Sequence, residues 1–106
     1  MTKSRGERDL LDLEAVFKAL SHASRRQVLV ILKARGGAMT AGEIAKRFSC
    51  SWPTTSRHLR TLESAGLVRV DRHGREWVYS LESSRLHGVL GDWLGRFAPH
   101  PIGDNP

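Results

Sequence analysis

The side chains best able to do chemistry fall close together in the middle of the chain. Ser51, Pro53, Thr54, Ser56, Arg57, His58, Arg60 and Thr61 occupy one short stretch, and Arg72, His73 and Arg75 follow a little further on. Guanidinium, hydroxyl and imidazole groups at this density suit hydrogen bonding to phosphate oxygens and to base edges. Catalysis asks for other patterns. No nucleophile pairs with a base, no glycine-rich phosphate loop follows a strand, and no metal ligands cluster. The histidines His22, His58, His73, His87 and His100 are scattered, and none has a second histidine or a cysteine three or four positions away. No enzyme activity, metal or cofactor is therefore expected. The lone cysteine, Cys50, lies near Lys46 and Arg47, a setting that can lower a thiol pKa and make a redox switch. A small buried packing residue is the expected role instead.

Charge follows the same geography. The net charge is +6, but residues 1–24 carry none of it and residues 76–106 are net negative. Residues 25–75 hold eleven basic and three acidic side chains. A basic centre between neutral and acidic ends points to a polyanion-binding face. At 106 residues, 40% of them hydrophobic, the chain can build one small domain. Its longest apolar run, Val28–Leu32, is far short of a membrane span, and the start lacks a signal-peptide core. With a single cysteine it has no internal disulfide framework. A cytoplasmic location with no membrane partner is expected.

The elements that must position these groups are legible from periodicity. Leu10, Leu13, Phe17 and Leu20 recur at helical spacing and predict a first helix over 9–20, after a loose start at 1–8. A second helix is predicted over 24–35, ended by Gly36-Gly37, although the length of the apolar run Val28–Leu32 also fits a strand. Thr40 and Glu43 form a capping box for a third, over 41–48. Ser51 caps a fourth over 52–65, with Pro53 in its first turn and Gly66 as its stop. Its inward face is Thr55, Leu59, Leu62 and Ala65, which turns Arg57 and Arg60 outward. The period then falls to two: 67–70 and 76–81 read as strands around a turn at 71–75, with Trp77 and Tyr79 expected in the core. Ser83 or Ser84 caps a fifth helix over 84–97, and 98–106 reads as a loose tail. The fold class is mainly α with a small β-hairpin, in the order α-α-α-α-β-β-α, with one domain over 9–97.

Helices 41–48 and 52–65 with a short joint make a helix-turn-helix, and the basic hairpin behind them stands where a wing would. The fourth helix would enter the major groove of DNA with its first residues at base edges. The wing tip would reach backbone or minor groove, while Lys46, Arg47, Arg25 and Arg26 could add phosphate contacts.

These motifs resemble a known family. Val16-Phe17-Lys18-Ala19-Leu20-Ser21-His22-Ala23-Ser24-Arg25-Arg26 is similar to the opening of ArsR-type winged helix-turn-helix repressors. Ser51–Leu62, continued by Ala65-Gly66-Leu67-Val68, resembles their recognition helix, and Arg75–Leu81 resembles their second wing strand. The resemblance covers residues 10–97. It implies a homodimer that binds double-stranded operator DNA at an inverted repeat, represses transcription, and is released by an effector. Metal-sensing members carry a cysteine pair in the third helix, whereas Thr40–Ala45 has none. Others place ligands on the last helix, where this chain has only His87 and Asp92, with Arg85 at the place of an aspartate. The ending Gly91–Phe97 resembles the metal-independent branch, which leaves an effector, small molecule or protein, unidentified.

Leu86, Val89, Leu90, Trp93, Leu94 and Phe97 are too many large apolar groups for a solvent-facing terminal helix. With Leu10, Leu13, Val16, Phe17 and Leu20 they are expected to form a dimer interface; the alternative is that both helices fold back on their own core. Two other functional readings remain: a winged-helix protein-interaction module of antirepressor type, and a metal- or redox-responsive repressor with an unrecognised site.

Overall fold

The structure, a computed structural model, describes residues 4–99, so parts of the predicted loose ends, and His100, lie outside it. Helix α1 spans Arg5–Leu20 and begins four residues earlier than its apolar spacing indicates. The cause is polar. The Ser4 hydroxyl accepts from the Glu7 N–H at 3.2 Å and satisfies an orphan donor of the first turn. Residues 5–8 are thus helix, which corrects the expected boundary. Helix α2 spans Ala23–Ala34 and buries Val28, Leu29 and Leu32 while Val30 stays exposed. That spacing settles the Val28–Leu32 run as helix rather than strand. The Gly37 N–H reaches the Leu32 carbonyl at 2.7 Å and the Gly36 N–H reaches Lys33, closing α2 as its two glycines anticipate.

Three residues then make a strand that periodicity did not reveal, β1 (Ala38–Thr40). Helix α3 (Ala41–Arg47) starts on the expected capping box, with Thr40 and Glu43 exchanging hydrogen bonds at 3.0 and 3.1 Å. Helix α4 spans Trp52–Ser64, strand β2 Val68–His73, strand β3 Glu76–Leu81, and helix α5 Ser83–Gly95. The order is therefore α-α-β-α-α-β-β-α. All three strands form one antiparallel sheet with β3 in the middle, β1 and β2 at its edges.

The hairpin is longer than expected. Arg72 pairs with Trp77 and His73 with Glu76, so the connection shrinks from 71–75 to Gly74 and Arg75. Gly74 has φ +64°, the left-handed region a two-residue loop demands at its first position. Helix α5 differs at its start too: its N-cap is Glu82, with no side-chain capping bond, rather than a serine.

The core is built from Val16, Leu32, Ile44, Leu59, Leu62 and Leu67, each essentially inaccessible to solvent. Each such side chain contributes about 1.5–3 kcal/mol on burial. Val16 belongs here and not at an outer interface, which corrects the expectation for it. By contrast α5 has no fully buried residue at all. Leu86, Val89 and Leu90 lean on the core, whereas Leu94 is 57% and Phe97 66% exposed. On the facing surface of α1, Leu10 is also exposed, and Phe17 meets the Trp93 ring edge-on at 5.0 Å. Leu86, Val89 and Leu90 thus fold back on the chain's own core, while Leu10, Leu94 and Phe97 stay outside it.

Candidate nucleic-acid interface

Helix α4 is held by its inner face. Thr55, Leu59, Leu62 and Ala65 are all buried, as the sequence indicates. On the opposite side of the helix Pro53, Arg57 and Arg60 are exposed, with Thr54 and Thr61 half-buried at its flanks. Arg57 and Arg60 take no part in any ion pair among the described residues. Their charges are therefore free for an outside anion. Lys18 of α1, which sequence reasoning missed, lines a groove with Arg57, Arg60 and Thr61 and extends the basic face.

The N-terminus of α4 is ordered by a local bond. The Ser51 hydroxyl donates to Thr54 Oγ1 at 3.1 Å instead of capping a backbone N–H. The first turn thus has no side-chain cap, and the positive end of a helix dipole favours an anion such as phosphate. Thr61 donates to its own helix at the Arg57 carbonyl, 3.1 Å.

Ser56 and His58 lie on opposite flanks of this row. Ser56 lines a groove between α4 and the wing, together with Arg60, Trp52, Trp77 and Tyr79. Tyr79 has its phenol pushed above its ordinary range by burial, with the Glu63 carboxylate adding to the effect. Trp77 is 48% exposed and so does not join the core as expected. It reaches past the core edge, and the Arg72 guanidinium lies over its ring at 5.3 Å. Arg72 Nε also donates to the Gly74 carbonyl at 3.1 Å, so the wing arginine is held in place. His73 and Arg75 are exposed at the tip.

His58, which by its type suits either a phosphate contact or packing within the domain, is engaged inside the chain. Its ring turns away from the outward row toward α1 and α2. It packs against His22 with centroids 4.4 Å apart and the rings tilted by 49°, and its Nδ1 lies 3.2 Å from Arg25 Nη1. Arg25 and Arg26 differ from expectation for a related reason. Arg25 donates to the Ala19 and Lys18 carbonyls at 2.7 and 3.0 Å, and Arg26 donates to Leu20 at 2.6 Å. Both guanidiniums cap the C-terminal end of α1, where the dipole favours cations. Cys50 is exposed in the joint between α3 and α4 rather than packed inside. Among the described residues, no three His, Cys, Asp or Glu side chains lie close enough to hold a metal ion.

A helix-turn-helix with an outward basic second helix and a basic β-hairpin beside it defines a winged helix-turn-helix DNA-binding protein. A family profile for a helix-turn-helix domain matches residues 20–71. The chain is 42% identical over 82 residues to the transcriptional repressor SdpR of Bacillus subtilis, covering 77% of this chain and 88% of that one. It is 33% identical over 87 residues to the arsenic resistance regulator ArsR1 of Pseudomonas putida, covering 82% and 63% respectively. Among solved structures, an ArsR family transcriptional regulator aligns at a TM-score of 0.74 with 28% identity, over 92% of both chains. A homodimeric winged helix-turn-helix domain of Mycobacterium bovis aligns at 0.68 with 25% identity, over 99% and 98%. The chain belongs to the ArsR family of DNA-binding transcriptional regulators.

Proposed function

We propose that this chain is a homodimeric repressor that reads an inverted-repeat operator with α4 and the wing. One observation carries the reading: Arg57 and Arg60 stand exposed and unpaired on the face of α4 opposite its buried stripe. Thr54 and Ser56 supply hydroxyls beside them, Ser51 and Pro53 set the start of the helix, and Arg72, His73 and Arg75 contact backbone or minor groove. Phe17, Leu13 and Leu10 of α1 and Trp93, Leu94 and Phe97 of α5 form the surface on which a second copy packs. A two-fold dimer then sets its recognition helices about 34–36 Å apart, one turn of DNA. The dimeric state of the M. bovis neighbour supports this arrangement.

The site works by binding and not by catalysis. The absence of cysteine from Thr40–Ala45 supports a release signal other than a thiolate-bound metal. No helix among the described residues is long and apolar enough to cross a membrane, and the place of action is the cytoplasm, where such DNA lies.

The test is capture of genomic fragments by the purified protein at moderate salt, read by sequencing. A short inverted repeat should be enriched, and Arg57→Ala should abolish the enrichment while leaving the melting curve unchanged. Enrichment that survives Arg57→Ala would overturn the assignment of α4. Binding to a protein partner with no DNA shift at low salt would favour an interaction module instead.

A further inference from the structure

Helix α4 must hold a fixed angle to the dimer if two half-sites are to be read together. The contact that sets this angle on the α1 side is made by side chains that face away from DNA. Arg25 of α2 spends two donors on the last carbonyls of α1, Lys18 and Ala19, and a third on His58 of α4. One guanidinium thus joins the dimerisation helix to the recognition helix.

The chemistry of that third bond is restrictive. Arginine has donors and no acceptor, so His58 Nδ1 must carry a lone pair and its ring proton must sit on Nε2. A second proton on His58 would set N–H against N–H and cation against cation. The groups that face His58 make no provision for such a charge. They are His22 from the α1–α2 joint, Arg25 from α2 and Arg57 from its own helix, with Thr54 and Thr61 lining the same cavity. None of these is a carboxylate.

We propose that Arg25 and His58 form a positioning clamp for the recognition helix, and that tight operator binding requires His58 to be neutral. Acidification then opens the clamp and weakens DNA binding. This rests on the reading of α4 as the DNA-contacting helix. Burial, with His22 and the two arginines, holds the His58 imidazole below its ordinary range, so the clamp stays closed near neutral pH and opens only under acid.

The alternative role for His58, a direct contact to phosphate, predicts the opposite sign, since a protonated imidazole binds phosphate more tightly. The experiment follows operator affinity from pH 8 to pH 5 at constant ionic strength, by fluorescence anisotropy on the captured operator. The wild-type protein is compared with His58→Asn, whose side-chain oxygen can accept from Arg25 but cannot titrate, and with Arg25→Lys, which keeps the charge but not the three contacts. Circular dichroism at each pH confirms that the protein remains folded.

Wild type should lose roughly tenfold relative to His58→Asn on acidification, the size expected for losing one hydrogen bond to a charged group. His58→Asn should stay flat or tighten slightly as His73 of the wing gains charge. Arg25→Lys should bind weakly at every pH. If wild type and His58→Asn titrate in parallel, or if wild type tightens more than His58→Asn in acid, the clamp is overturned. If wild type fails to bind the operator even at pH 8, the reading of α4 falls, and the clamp with it.

Discussion

Asp12 and Arg85 stand 73 positions apart in the chain and meet at 3.2 Å, carboxylate to guanidinium. The same guanidinium donates from Nε and Nη2 to the Ala65 carbonyl, both at 3.3 Å, where α4 ends. Arg85 therefore ties α1 and α5, the two proposed dimer helices, to the C-terminal end of the recognition helix. Arg25 does the equivalent at His58, so the helix is gripped by arginines near both of its halves.

The pair is partly exposed, so the ion pair itself is weak. Asp12→Asn should cost less than about 1 kcal/mol of stability, in keeping with solvent-screened pairs. Arg85→Met also removes the bonds to Ala65 and should cost on the order of 1–2 kcal/mol. Urea denaturation of both variants checks this. Equal losses would mean that the Ala65 bonds contribute nothing.

Gly66 sits under that guanidinium. Its φ is +76°, and a Cβ placed there would lie 3.0 Å from Arg85 Nε. Gly66→Ala should cost about 1–2 kcal/mol from backbone strain, plus whatever is lost by displacing Arg85. Gly74→Ala, at φ +64° with open space around it, should show the strain alone. Placing Gly66→Ala in the Arg85→Met background should remove the extra cost, which a double-mutant cycle measures directly.

Leu94 and Phe97 are exposed in the single chain, so replacing them costs its own fold little, within about 0.5 kcal/mol. Leu94→Glu with Phe97→Glu should nevertheless shift the protein from dimer to monomer in sedimentation velocity and weaken operator binding severely. A double variant that remains a dimer would place the interface elsewhere.

In the wing, Trp77 holds Arg72 and does not itself need to touch DNA. Arg72→Ala should flatten the slope of log affinity against log salt by about one. Trp77→Ala should leave the slope intact and lower affinity by less, since an exposed cation–π contact is worth about 0.5–1 kcal/mol. If both variants flatten the slope equally, Trp77 contributes more than positioning.

What could be read from sequence was whatever local chemistry dictates. The Thr40–Glu43 box, the glycines after α2 and α4, and the buried stripe Thr55-Leu59-Leu62 each depend on neighbours within a turn or two, and each lies where its spacing indicates. Strand β1 was invisible because three residues carry no period, and it exists only by pairing with β3, some forty positions away. Arg25, Arg26 and His58 look like DNA contacts by type, since a sequence shows that a side chain can bind an anion but not whether a nearby carbonyl or guanidinium already engages it. Trp77 follows the alternation that places Tyr79 against the core, but the strand outruns the core it covers.

Thr40 both pairs with Val78 as the last residue of β1 and caps the first turn of α3. There is no slack between the sheet and the helix-turn-helix: the root of the wing and the start of α3 share one residue. An engineer wishing to lengthen this chain would find the Gly74–Arg75 loop forgiving, because both its neighbours are exposed and nothing packs beyond it. One residue added after Thr40 would instead force the chain to give up either the strand pair with Val78 or the cap on α3, and would change how the sheet sits against the helix-turn-helix.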